Sequence, residues 1–122
     1  MVDAREQIKD LLESIEYEKP FRVKMTFPQS VNDGILITYN EVLNNQTAIS
    51  VVDEIAFLVD IWALDMVTMV DLSCLVSDKL TGIGLKRQFT SPDSSPEENG
   101  GYFRKTMRFG RKVDTRTNRL ID

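Results

Sequence analysis

The sequence contains no histidine and a single cysteine, Cys74. Without histidine the chain lacks the commonest general base, and it cannot build a Ser-His-Asp triad, a Cys-His pair or most zinc sites. One cysteine cannot form an internal disulfide. Its apolar neighbours in a predicted helix favour a small buried hydrophobic residue over a reactive thiol. We therefore expect no enzymatic activity, no bound metal and no cofactor.

Long apolar runs are also missing. Asp60, Asp65 and Asp71 interrupt the longest hydrophobic stretch, which falls short of the roughly 20 residues that span a bilayer. The first residues lack the layout of a secretion signal. We expect no membrane association and synthesis in the cytoplasm.

The composition is typical of one globular domain. The chain has 122 residues, of which 42% are hydrophobic and 28% are charged. This length supports one hydrophobic core and not two.

Charge is distributed unevenly along the chain. Residues 1–82 carry 6 Lys and Arg against 14 Asp and Glu, whereas residues 83–122 carry 9 against 5. Such asymmetry suits self-association in which the basic part of one copy meets the acidic part of the next. Solvated charge on both parts explains the same pattern, and the sequence does not separate the two interpretations.

Two amphipathic helices are predicted. In residues 4–17 the apolar side chains recur at the spacing of one helical face, with Asp3 at the start and Pro20 beyond the end. A second helix is predicted over residues 66–81, with Asp65 as its N-cap and Gly82 as the left-handed residue that ends it. We expect a broad apolar face of this helix to pack on a sheet, through Val67, Met69, Val70, Leu72, Leu75, Val76 and Leu80.

Four segments have strand character: residues 35–42, a stretch within 51–63, residues 85–90 and residues 102–113. Residues 21–27 alternate in the same way and form either a short strand or an extended arm. Residues 43–50 and 91–101 have the composition of loops. In the second strand Leu58 and Trp62 share a face with Glu54 and Asp60, which indicates a surface partly covered by the protein or by a partner.

These elements predict an α+β domain over residues 1–113. We expect an antiparallel or mixed sheet of about four strands, with two main helices packed on one face, in the order α-β-β-α-β-β. Residues 114–122 are predicted to form a polar tail outside this domain.

Aromatic and basic residues alternate near the C-terminal end of the predicted domain, which could bind nucleic acid through phosphates and stacking. The alternation sends Arg104, Arg108 and Lys112 to one face and Phe103, Met107 and Phe109 to the other. A half-buried strand needs the same pattern, and the sequence pI is about 4.9. We favour a solvated or subunit-facing strand over DNA contact.

Asp60 and Asp65 are a candidate pair of carboxylates. Because they lie on different predicted elements, we interpret them as solvated charge and not as a catalytic pair.

The order of segments resembles the small tail-terminator and tail-to-head joining proteins of long-tailed bacteriophages and prophages. The resemblance covers residues 4–113 and rests on residue type and spacing. The matching features are ILITY at 35–39, NNQ at 44–46, VDIW at 59–62, the helix at 66–80, GIGLKR at 82–87 and YFRKTMRF at 102–109.

This resemblance implies a structural role with no chemical reaction. Members look like subunits of a ring, usually a hexamer, that caps the head-proximal end of the tail tube and joins the tail to the filled head. The implied partners are other copies of the chain, the tail tube protein and a head-completion or connector protein. A monomer in solution is compatible with this role, and DNA contact in the ring lumen has no support in the sequence. The implied location is the host cytoplasm during assembly and the virion tail afterwards.

By analogy with that family, the two polar loops, 43–50 and 91–101, are candidates for contacts with neighbours, and the candidate interface also includes residues of the second strand and of the basic strand. Its residues are Asn44, Asn45, Gln46, Trp62, Asp93, Glu97, Glu98, Arg104, Arg108 and Arg111. The alternative is a small adaptor or regulatory protein that binds one protein partner through the face with Leu58 and Trp62. An enzyme is the least favoured class.

Overall fold

The structure, a computed structural model, describes residues 3–25, 34–49, 51–92 and 101–116. In these residues the chain forms two helices and five strands. Their bounds are α1 Arg5–Glu13, β1 Phe21–Lys24, β2 Ile35–Gln46, β3 Val52–Ala63, α2 Met66–Gly82, β4 Lys86–Thr90 and β5 Phe103–Asp114. The α+β class is confirmed.

The strand number and order differ from the prediction because Phe21–Lys24 is a strand and not an arm. The sheet order is β1-β2-β3-β5-β4. β1 runs parallel to β2, and the other three neighbouring pairs are antiparallel. The sheet is therefore mixed, with five strands in the described order α-β-β-β-α-β-β.

Both helices pack on one face of this sheet, as predicted. Alternate residues of β3, among them Ile55, Phe57, Val59 and Ile61, are fully buried. They share one core cluster with Ile8 and Leu12 of α1 and with Met69, Leu72, Val76 and Leu80 of α2. Below, this is called the helical side of the sheet.

The first helix is shorter than the prediction of residues 4–17. It ends at Glu13, and its N-cap position is Ala4, whose side chain forms no cap. Asp3 instead accepts a hydrogen bond from the Arg5 backbone N–H at 3.2 Å, a local turn of the kind that Asp side chains favour. Ile15 is still buried in the core although it lies beyond the helix.

The second helix begins as predicted and ends differently. The Thr68 backbone N–H donates to Asp65 Oδ2 at 3.0 Å, which makes Asp65 the N-cap. The left-handed residue is Gly84, with φ 99°, and not Gly82. Leu85 N–H donates to Leu80 O and Gly84 N–H donates to Thr81 O, which is the bond pattern of a Schellman motif.

The predicted loop at residues 43–50 is also wrong in part, because Asn44, Asn45 and Gln46 belong to β2. They pair with Ile55, Glu54 and Asp53 beyond a β-bulge between Glu41 and Leu43. Pairing along a long hairpin outweighs the low strand propensity of Asn.

The last described strand extends one residue beyond the predicted domain boundary, to Asp114. The Thr115 backbone N–H donates to Val51 O at 2.8 Å, which ties the first residues of the predicted tail to the sheet. Residues 117–122 of that tail lie outside the described residues. Within the described parts of the chain, no helix is long and apolar enough to cross a membrane.

Candidate interaction surfaces

The second face of the sheet has no helix of the described residues packed against it. Its central row is formed by Glu54, Ala56, Leu58, Asp60 and Trp62 of β3. Ala56, Asp60 and Trp62 are nevertheless buried. The predicted cover over this face is therefore supplied at least in part by the chain itself.

Trp62 is covered by the strand beside it. Its cross-strand neighbour is Arg104, whose guanidinium carbon lies 4.5 Å from the centroid of the indole ring. The indole Nε1–H donates to Thr38 Oγ1 at 3.2 Å, and Leu36 and Tyr102 complete a small apolar cluster. Trp62 is only 7% exposed, so its ring is a structural element of this face and not a protruding contact.

Asp60 lies beneath the same arginine and is 1% exposed, so the prediction of solvated charge is wrong. Arg104 Nε donates to Asp60 Oδ1 at 2.9 Å, and the Thr106 hydroxyl donates to the same oxygen. Among the described residues Oδ2 has no hydrogen-bond partner. A buried carboxylate requires a charged partner. The carboxylate of Asp60 holds the guanidinium of Arg104 in place over Trp62.

Arg108 occupies the same face further along β5. It lies opposite Leu58, and its Nε donates to Gln88 Oε1 of β4 at 2.9 Å. Phe89 pairs with Arg108 in the β4–β5 register and is 52% exposed.

The predicted alternation of β5 is confirmed, since Phe103, Met107 and Phe109 pair with helical-side residues of β3.

Together these positions make the second face basic. By strand register, six cationic side chains share it: Arg22, Lys24, Lys86, Arg104, Arg108 and Lys112. Three carboxylates share the face: Glu54 lies opposite Lys112, and Asp60 and Asp114 form ion pairs with Arg104 and Arg116. We call this surface the basic sheet face.

Arg111 does not belong to the basic sheet face. It pairs with Ile55 on the helical side, and its Nη1 donates to Ile83 O at 3.2 Å. The guanidinium therefore satisfies a carbonyl just beyond the end of α2, where a cation is favourable. Arg111 has a structural role and is separated from Arg104 and Arg108 by the sheet.

The remaining candidates are dispersed. Asn44 faces the helical side, where its Nδ2 donates to Glu41 Oε2 at 3.4 Å, and Asn45 and Gln46 are exposed at the far end of β2. Asn45 pairs with Glu54, which is eight residues from Trp62 along β3 and therefore about 25 Å away. Asp93, Glu97 and Glu98 lie outside the described residues. The candidate residues do not form one patch.

The helical side carries an excess of acidic groups around α1. Residues 3–18 hold six carboxylates and two cations. On α2, Asp71 and Asp78 are both exposed. The asymmetry predicted along the chain is therefore also an asymmetry across the sheet, and Arg22 and Lys24 of the acidic N-terminal part contribute to the basic face.

An exposed row on α2 was not predicted from the sequence. Val67 is 69% exposed, Val70 is 40% exposed, and Cys74 is exposed, so the predictions that these three side chains are buried are wrong. The apolar positions of α2 cover more of its circumference than the sheet can bury. We call the outward surface formed by Val67, Val70, Asp71, Cys74 and Asp78 the α2 ridge.

A cavity of about 210 Å³ lies beside the α2 ridge. Helix α2 and strands β4 and β5 line it with Val70, Ser73, Cys74, Arg87, Thr90, Lys105 and Met107. Its lining combines apolar side chains with two cations. Within the described residues, no cluster of three or more Cys, Asp or Glu side chains could hold a metal ion.

Shifted pKa values accompany local hydrogen bonds or burial. The hydrogen bond from the Thr68 backbone lowers the pKa of Asp65, and hydrogen bonds from Arg116 lower the pKa of Asp114 to about 2. Burial, followed by the nearby charge of Glu13, raises the pKa of Tyr39. Each of these shifts is explained by local packing or hydrogen bonding.

The chain matches no protein-family model. A search of curated proteins finds no significant match to it.

Proposed function

We propose that this chain is a structural assembly protein of a long-tailed phage or prophage. In this role a ring of its subunits completes the tail, caps the tail tube at its head-proximal end and joins the tail to the head. The observation that carries the proposal is the opposition of charge across the sheet, with a basic sheet face on one side and an acidic helical side on the other. The order of strand and helix motifs in the sequence supports it.

A subunit with complementary surfaces on opposite sides favours head-to-tail association. Such contacts use two different patches on each copy, and they generate a closed ring when the rotation between copies closes. Complementary charge steers the encounter and fixes the register of the subunits. Because exposed charges are screened over about 8 Å at physiological ionic strength, we expect ring formation to weaken as salt is raised.

In this role the mechanism is interface geometry. The chain binds other copies of itself, the tail tube protein and a head-completion or connector protein. It is made in the host cytoplasm and becomes part of the virion tail. A monomeric state in dilute solution is expected if the end of the tail tube aligns the subunits.

The second candidate function is an adaptor that binds one protein partner without forming a ring. The half-buried Leu58 and the exposed Phe89 on the basic sheet face favour it, because apolar side chains rimmed by charge are typical of protein-binding surfaces. The expected partner of such an adaptor carries an acidic surface with an apolar centre.

The test is sedimentation and negative-stain microscopy of the purified chain, first alone and then with tail tubes of the same phage or prophage. Rings, or caps on a single end of each tube, are the expected result. A chain that stays monomeric and leaves tube ends bare in both measurements would contradict the assembly role. One-to-one binding to a single protein would then favour the adaptor.

A further inference from the structure

The α2 ridge combines apolar and acidic side chains in one row. Val67, Asp71, Cys74 and Asp78 follow each other at spacings of four, three and four residues, which places them along one line on a helix. Val70 lies beside this line and also borders the 210 Å³ cavity. The ridge is an outward surface with apolar contact area and two carboxylates.

The charge on this ridge argues against packing of two α2 helices on each other. In a two-fold contact the same patch is used by both copies, so the carboxylates of Asp71 and Asp78 would face carboxylates. Like charges at short range are unfavourable. The fitting partner surface is one that offers an apolar side chain between cations.

The chain itself carries such a surface on the other side of the sheet. Phe89 is one of its exposed large hydrophobic residues, and it lies on the basic sheet face in register with Arg108. Lys86 of the same strand pairs with Gly110, two residues further along β5, and is exposed. We call Lys86, Phe89 and Arg108 the Phe89 patch.

We infer that the α2 ridge of one copy docks on the Phe89 patch of the next copy. This inference rests on the proposed ring, and it names the two surfaces that would build it. Phe89 would contact Val67, Val70 and Cys74, while Lys86 and Arg108 would pair with Asp71 and Asp78. Because the two surfaces lie on opposite sides of the sheet, the contact is head-to-tail.

The positive charge on both edge strands of the sheet also favours a contact between a helix and a sheet face. Strand β1 carries Arg22 and Lys24, and strand β4 carries Lys86 and Arg87. Two copies that joined their sheets edge to edge would bring these cations together, which is a common protection against sheet extension. A contact through a helix and a sheet face avoids this repulsion.

Charge exchange tests the inference. Asp71→Lys and Arg108→Glu each place like charges across the inferred contact. The association constant of each variant alone is therefore expected to fall by roughly tenfold or more. In a mixture, the two variants can alternate around a ring of even number, so that every contact again joins opposite charges. With tail tubes present, capping by wild type and by the mixture, but by neither variant alone, is the expected result in sedimentation and negative stain.

Matched controls separate this contact from a general effect of charge. Lys24→Glu changes the same face at the sheet edge opposite β4, and Asp10→Lys changes an acidic residue on α1. Both alter the general charge of their surface but not the inferred contact, so they are expected to weaken assembly much less than Asp71→Lys and Arg108→Glu do. Phe89→Ser is expected to weaken assembly without changing net charge, and circular dichroism with thermal unfolding verifies that each variant folds.

The alkylation rate of Cys74 is an independent measure of the contact, because Cys74 is the single cysteine of the chain and lies in the α2 ridge. Its rate of alkylation is expected to fall by roughly tenfold or more when wild-type rings form on tail tubes, because buried thiols are inaccessible. In Asp71→Lys the thiol is expected to react at the rate of the free monomer.

The possible outcomes distinguish the interface from the function. If tubes are capped while the Asp71 and Arg108 variants assemble like wild type and Cys74 keeps its rate, this interface is wrong and the assembly role stands. If the wild-type chain neither self-associates nor caps tubes, the assembly role and this interface are both wrong.

Discussion

The guanidinium carbon of Arg104 lies 4.5 Å from the centroid of the Trp62 ring, on strands that are neighbours in the sheet. The same guanidinium donates to Asp60, which is buried. The arginine therefore neutralises a buried charge and covers an aromatic ring with one side chain.

We predict that Arg104→Ala destabilises the protein by about 3–5 kcal/mol, because it leaves the buried carboxylate of Asp60 without its charged partner. Urea unfolding measures this loss. Trp62 is the single tryptophan, so a red shift of its emission reports the exposed ring. The double variant Asp60→Ala with Arg104→Ala is expected to be more stable than Arg104→Ala alone. If the double variant is less stable than Arg104→Ala, the buried charge is not the cause.

A second prediction concerns the end of α2. Gly84→Ala is expected to cost about 1–2 kcal/mol, because its φ of 99° disfavours a side chain. A Cβ there would also lie 3.1 Å from Arg111 Nη1. The matched control is Gly82→Ala, where a Cβ has no neighbour within 4 Å and the gain is about 0.4–1 kcal/mol. Thermal unfolding distinguishes them, and equal effects of the two variants would contradict the Schellman assignment.

The N-cap of α2 should make stability depend on pH. The folded-state pKa of Asp65 is lowered from 3.8, chiefly by the hydrogen bond from the Thr68 backbone. Its contribution is therefore present above pH 3.8 and is lost as the pH falls through the lower folded value. We predict that Asp65→Ala lowers the urea midpoint at pH 7 and that the difference from wild type shrinks in acid.

The control for this measurement is Asp71→Ala, which removes an exposed carboxylate from the same helix without removing a cap. Its urea midpoint should stay close to that of wild type at both pH values. An Asp65→Ala difference that is constant with pH would argue against a role for the charged cap.

Asp114 allows a direct test of a local ion pair. Hydrogen bonds from Arg116 lower its pKa to about 2, with the shortest contact at 2.6 Å from Arg116 Nη2. We predict that Arg116→Ala returns this pKa toward 3.8, as measured by carboxyl carbon NMR titration. Stability at neutral pH should change little because the pair is on the surface. An unchanged pKa in the variant would show that Arg116 is not the cause.

Sequence periodicity predicted the helical side of the sheet well. The period of two in residues 55–61 and the helical spacing of Ile8 and Leu12 both correspond to buried positions. These patterns are reliable because a single face of a strand or helix must be removed from water.

The predictions failed where tertiary neighbours decide the outcome. Asp60 is buried because Arg104, 44 residues away in sequence, pairs with it. Val67 and Val70 are exposed because the sheet contacts only part of the circumference of α2. Asn44 belongs to a strand because β3 extends beside it. None of these partners is visible in a local window of sequence.

The sheet order β1-β2-β3-β5-β4 also constrains how the chain reaches its fold. The β2–β3 hairpin closes a short loop, whereas β3 and β5 are separated in sequence by α2 and β4. Closing the longer loop costs more entropy and slows pairing. Until β5 is inserted, β4 has no strand partner and one edge of β3 is open to other chains. Nascent chains in which β5 has not yet paired therefore expose strand edges through which they can aggregate, and a chaperone acting at this stage would protect them.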